Sequence, residues 1–154
     1  MEDPFRRPAF ASAVFYKDPA AALDWLEKAF GFERFMVITD DGGAIVHSEM
    51  RYRGGLIYVG SEWADFTASP ETTGGRCTQI LHVHIDGDAD AHCARAREAG
   101  AEILREPEDQ FYGDRVYQAR DPQGHVWTFA QPKRFVSREE AEAASGLRIE
   151  GWFD

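Results

Sequence analysis

Two patterns of apolar positions run along the chain, one of period two and one of helical period, and they recur in the same order. Residues 10–17 (FASAVFYK) are rich in aromatic and small apolar side chains and read as a β-strand. Asp18-Pro19 ends it as an N-cap followed by proline at the first helical position. Leu23, Leu26 and Phe30 then share one helix face, and Gly31 stands where the glycine just past a helix belongs. Strands follow at 32–39, 44–52 and 55–61, with Asp41-Gly42-Gly43 and Arg53-Gly54-Gly55 as the turns. The same order then returns. A strand at 77–86 leads through Asp86-Gly87-Asp88 into a helix at 89–99, which Gly100 closes. Strands at 101–106, 115–120 and 125–131 complete the second set, with Asp121-Pro122-Gln123-Gly124 as the last turn.

The landmarks repeat at a nearly constant offset. Asp18 and Asp86 are 68 residues apart, Gly31 and Gly100 are 69 apart, and Gly54 and Gly124 are 70 apart. Small loop insertions produce such a drift, so the pattern predicts an internal duplication. The fold class it predicts is α+β, built from two tandem βαβββ modules at about 9–62 and 77–132, a single domain over 9–132. Residues 133–154 form a C-terminal extension. In it, Ser137 and Glu140 make a capping box for a short helix ending near Gly146. Trp152 and Phe153 are too apolar to dangle and are expected to dock on the body or on a second subunit.

Composition narrows the functional classes. The 154 residues are 44% hydrophobic and 29% charged, enough for a packed core and too apolar for disorder. No apolar run is long enough to cross a bilayer, and the first residues lack the apolar stretch of a signal peptide, so a soluble, cytoplasmic chain is expected. A formal net charge of -10 disfavours nucleic acid and anionic membranes as partners. Cys77 and Cys93 fall within predicted elements and read as reduced, buried thiols.

The paired βαβββ order, the opening Asp18-Pro19…Trp25-Leu26…Phe30-Gly31-Phe32, and the stretch Tyr112-Gly113-Asp114-Arg115…Arg120-Asp121-Pro122-Gln123-Gly124-His125-Val126-Trp127 resemble the vicinal oxygen chelate superfamily. That group contains glyoxalase I, bleomycin-resistance proteins and extradiol dioxygenases, and the second motif is most similar to its phosphonate-operon-like branch. The resemblance implies that the modules form a cupped mixed sheet around a ligand cavity with the helices outside. It also implies a homodimer. Alternation along each strand then sorts residues into a helix-packed face and a cup face. Leu81, Val83, Ile85, Trp127 and Phe129 belong to the first. Ala11, Ala13, Phe15, Leu56, Tyr58, Gly60, Ile80, His82, His84, Val126, Thr128 and Ala130 belong to the second.

Metal-dependent members of the superfamily carry a His or Glu ligand on the first and last strand of each module. Alignment on Asp18, Gly54, Asp86 and Gly124 puts Ala11, Tyr58, Ile80 and Thr128 at those places. These side chains do not make a divalent-ion site, so the usual centre is expected to be absent, with no cofactor. The alternative is a divalent metal ion held by His82, His84 and Glu49, with His47 on the same face as Glu49, serving a lyase or dioxygenase.

The expected ligand-binding set is Phe15, Tyr58, Trp63, His82, His84, Tyr112, Arg115 and Thr128. The aromatic rings supply apolar walls and the others supply polar handles. Arg115 can read an anionic or carbonyl group with its planar fork, or it can hold the turn through Asp114 or Asp121. Trp63 and Phe66, in the long 62–76 connection, can cover the ligand or pack over a module edge. The leading expectation is a small-molecule-binding protein with a sequestration or resistance role.

Overall fold

The computed structural model describes residues 3–152 and holds eight strands and three helices among them. The first module comprises β1 (Ser12–Tyr16), α1 (Pro19–Phe30), β2 (Glu33–Thr39), β3 (Ile45–Tyr52) and β4 (Gly55–Ser61). The second comprises β5 (Leu81–His84), α2 (Ala89–Glu98), β6 (Glu102–Asp109), β7 (Asp114–Arg120) and β8 (Val126–Pro132), and α3 (Arg138–Ser145) follows. Each module folds into a four-stranded mixed sheet, and the two strand orders correspond: β1-β4-β3-β2 and β5-β8-β7-β6. In both, the first strand runs parallel to the last and the remaining pairs are antiparallel.

The helix ends follow their capping chemistry. Asp18 accepts from the Ala21 amide at 2.9 Å, Pro19 opens the first turn, and Gly31 closes α1 at φ 75°. The N-cap of α2 is Asp88, which accepts from the Ala91 amide at 2.8 Å. Asp88, rather than Asp86, is therefore the structural counterpart of Asp18, because Gly87 at φ 105° extends the approach to the helix. Ser137 accepts from the Glu140 amide, and Gly146 at φ 69° ends α3.

The strand expected at 77–86 is shorter than its sequence suggests. Its parallel partner β8 starts at Val126 and its ladder starts with Leu81 opposite Trp127, so residues 77–80 have no strand beside them. Gln79 instead bonds the Ser12 hydroxyl at the start of β1.

One core runs through both modules. Val14, Tyr16, Ile57 and Val59 from the first sheet join Leu81, Ile85, Trp127 and Phe129 from the second around the buried faces of α1 and α2. Phe30 of α1 reaches across, with its ring 4.5 Å from Phe129 and 5.4 Å from Trp127. Trp25 Nε1 donates to the Ala99 carbonyl at 2.7 Å, and Arg95 donates to the Glu27 and Lys28 carbonyls at the end of α1. The turn before β8 is the other tie. Buried Asp121 accepts from the Tyr16 hydroxyl at 2.7 Å, from Trp127 Nε1 at 3.1 Å, and from the Gln123 and His125 amides. Four donors offset the desolvation of that carboxylate, which would otherwise be costly to bury.

The division of strand faces agrees with the alternation. Val14, Tyr16, Ile57, Val59, Leu81, Ile85, Trp127 and Phe129 lie in the core, while His82 and His84 are exposed on the opposite face. No helix among the described residues is long and apolar enough to span a membrane.

Candidate functional site

On the second module, β5 directs His82 and His84 to the cup face because Leu81, Val83 and Ile85 take the core side. The imidazole rings are 5.2 Å apart between centroids. The ladder sets His82 opposite Thr128 and His84 opposite Ala130. Thr128 is buried, and its hydroxyl accepts from Gln118 Nε2 at 3.1 Å. Asp114 Oδ2 stands 3.9 Å from His84 Nε2. Burial, reinforced by the neighbouring His84, holds His82 below the usual histidine value, with Asp114 acting in the opposite direction.

His82, His84 and Ile80 line an open groove of about 770 Å³, whose other walls include Phe10, Ser12, Phe32 and Arg53. The groove lies where the beginning of β1 and the β3–β4 turn approach β5, and Arg53 Nη1 reaches the His84 carbonyl at 3.4 Å. A second cavity of about 400 Å³ is lined by Phe15 together with Phe66, Gln79 and His125, and His125 Nε2 donates to the Phe15 carbonyl at 2.6 Å.

On the first module, Phe15 packs beside Gly60, its ladder partner. A Cβ at Gly60 would lie 3.6 Å from the Phe15 ring. Tyr58 stands next to His47, with centroids 5.4 Å apart, and opposite Glu49 in the β3–β4 ladder. Glu49 is only 1% exposed, and its Oε1 meets His47 Nε2 at 2.9 Å.

The eight expected site residues are thus not gathered into one pocket. His82 and His84 share the large groove, Phe15 lines the smaller cavity, and Tyr58 and Thr128 lie on the two cup faces. Arg115 is engaged elsewhere. It forms ion pairs with Asp90 at 2.7 Å and Asp109 at 2.9 Å, tying β7 to α2 and β6, and its expected partners Asp114 and Asp121 are not the ones it meets. The Asp90 and Asp109 carboxyls are held below the usual aspartate range by this guanidinium. Trp63 and Phe66 are 66% and 77% exposed and pack edge-on against each other at 5.3 Å. Tyr112 packs edge-on to Phe111, and burial raises its hydroxyl above the ordinary tyrosine value, with Asp114 adding to the effect. Trp152 Nε1 donates to the Val136 carbonyl at 2.8 Å, so that ring docks on its own extension, whereas Phe153 lies outside the described residues.

Of the residues that the sequence alignment sets at the superfamily's ligand positions, Ala11 and Ile80 have no donor atom and lie just before β1 and β5 begin, and the Thr128 hydroxyl accepts from Gln118. The alternative set is not assembled either. Glu49 is engaged with His47 on β3, and no group of three or more His, Cys, Asp or Glu among the described residues is arranged to hold a metal.

Several contributors were not legible beforehand. Asp121 reads as a turn residue, and only the fold reveals the Tyr16 and Trp127 donors that converge on it. Phe10, Gln79 and Arg53 enter the groove through the meeting of the two modules, a contact that no local pattern encodes.

This architecture has counterparts among known proteins. A sequence model of the glyoxalase/bleomycin resistance protein/dioxygenase superfamily matches residues 10–129, and the chain belongs to that superfamily. An uncharacterised protein of Mycobacterium bovis is 30% identical over 148 residues, which make up 94% of this chain and 96% of that protein. Among solved structures, TioX from Micromonospora sp. ML1 is 31% identical with a TM-score of 0.66, over 81% of this chain and 98% of TioX. TnmS3 from Streptomyces sp. CB03234, described as an antibiotic binding protein, shares the fold at a TM-score of 0.61 and 19% identity, over 82% of this chain and 100% of its own.

Proposed function

We propose that the chain is a small-molecule-binding member of the superfamily that lacks the usual metal centre and serves sequestration or resistance in the cytoplasm. The carrying observation is the composition of the cup faces. Ala11 and Ile80, which the sequence alignment sets at two of the family's ligand positions, cannot ligate, while an open groove lined by Ile80 presents His82, His84 and the Phe10 ring. Such a mixture of apolar wall and few polar groups suits recognition of an organic ligand. TnmS3, an antibiotic binding protein of the same fold, supports this reading by analogy of fold. The Gly113-Asp114-Arg115 and Asp121-Pro122-Gln123-Gly124-His125 turns favour the phosphonate-operon-like branch.

A homodimer is part of this proposal. Phe10 is 92% exposed, and Trp63, Phe66 and Phe135 are also strongly exposed, apolar rings that a second copy of the chain would cover. The test is calorimetric titration of the chelator-treated protein with a panel of planar aromatic antibiotics, on the parent and on His82→Ala. Binding by the parent that weakens in the variant is expected. Failure of the whole panel to bind, with binding or turnover appearing on addition of a divalent ion, overturns the proposal in favour of an enzyme.

A further inference from the structure

The first module buries a carboxylate that its own fold does not satisfy. Glu49 lies between Met36 and Tyr58 in the sheet, on the face opposite the core residue Met50. Its Oε1 has His47, but its Oε2 has no hydrogen-bond partner among the described residues. Leaving a carboxylate oxygen out of water without a donor is costly, and structures that retain one generally use it.

The segment Asp3–Arg7 lies over this position. Arg51 Nη2 donates to the Phe5 carbonyl at 2.6 Å, the Phe5 ring stands edge-on to Phe35 at 6.2 Å, and Arg7 Nη1 points towards Glu49 Oε1. That last contact is 3.6 Å long, beyond a hydrogen bond. The short bonds of Arg7 go instead to Asp3, at 2.8 and 3.1 Å. The segment thus pairs a cation with Glu49 Oε1 and leaves Oε2 without a hydrogen bond.

We infer that Glu49 is the anionic anchor of a subsite for a cationic group, a protonated amine or amidinium carried on an aromatic body, and that Asp3–Arg7 covers this subsite until such a ligand displaces it. His47 orients the carboxylate through Oε1, which leaves Oε2 for the incoming cation. Tyr58, opposite Glu49 in the ladder, offers an aromatic face to the flat body of such a ligand. The inference rests on the binding reading given above and adds the ligand's charge.

The test uses benzamidinium and its neutral isostere benzamide, titrated by calorimetry and by imidazole proton NMR into the full chain, Arg7→Ala, a chain lacking residues 1–7, and Glu49→Gln. The parent is expected to prefer benzamidinium. Arg7→Ala and the truncation are expected to tighten it about threefold or more, and Glu49→Gln to weaken it about tenfold, to the level of benzamide. The NMR response is expected at His47. Should Glu49→Gln not fold, the gain on removing Arg7, an exposed-segment change, decides the matter alone. Equal binding of the two probes, a preference that survives Glu49→Gln, or no gain on uncovering the site overturns the inference. If both probes bind equally and perturb His82 and His84, the binding reading stands and the Glu49 subsite falls. If neither probe nor any member of the antibiotic panel binds, both fall.

Discussion

On the cup face of the first module a carboxylate, Glu49, is buried beneath Asp3–Arg7, whereas on that of the second two imidazoles, His82 and His84, stand open beside Asp114. The ladders beneath these faces correspond strand for strand, and Tyr58 and Thr128 occupy equivalent places on β4 and β8. Duplication has therefore kept the side that packs and let the opposite side diverge. The core positions are held by the need to fill space around α1 and α2, a demand that both modules share. The cup faces have no such common constraint, so a carboxylate can serve one half and a pair of histidines the other.

That contrast breaks if the modules do not share one core. Trp127→Ala removes a fully buried ring that touches Phe30 and Phe32 of the other module and donates to Asp121. It is expected to cost about 3–5 kcal/mol, with both modules lost in one cooperative transition in urea. Two separate transitions would contradict the shared core. Tyr16→Phe takes one donor from Asp121 across the module boundary, and a loss of about 1.5–3 kcal/mol is expected in the same measurement.

Histidine titration sharpens the comparison further. On α2, half-buried His92 donates from Nε2 to the Phe30 carbonyl and shares a hydrogen bond between Nδ1 and the Tyr117 hydroxyl. Burial holds it below the usual histidine value, with Arg95 adding to this and the Phe30 carbonyl opposing it, and burial also lowers His82. The unfolded chain therefore binds more protons than the folded one once the pH drops to about 6.5, and stability falls as the pH is lowered through that value. A melting temperature that rises on acidification through this window would contradict the assignment. The smallest effect is expected at Arg115. Its partners Asp90 and Asp109 are more than half exposed, so Arg115→Ala should lower the urea midpoint least of these variants and leave ligand affinity unchanged. A large loss of affinity in calorimetry would return Arg115 to the binding set.

Periodicity and punctuation made the modules readable in advance. Asp18-Pro19, Gly31 and the alternation Leu81-His82-Val83-His84-Ile85 each encode a local choice, and each is realised in the fold. Contacts that depend on how two modules meet were not readable. The groove beside His82 draws Phe10, Ser12 and Arg53 from segments far from β5 in sequence, and Arg115 chose partners on α2 and β6 rather than its neighbours in the turn. The truncation of β5 has the same origin, since a strand ends where its partner does, and the start of β8 is not written in residues 77–80.

The central claim, organic-ligand binding without the family's metal centre, is tested most directly by elemental analysis coupled to titration. The untagged protein is purified without chelators, its first-row metals are measured, and affinity for the best-binding member of the antibiotic panel is compared before and after chelator treatment. The account predicts no stoichiometric metal and an unchanged affinity, because Ala11 and Ile80 offer no donor and the Thr128 hydroxyl already accepts from Gln118. A stoichiometric ion, lost to the chelator together with ligand affinity, would contradict it.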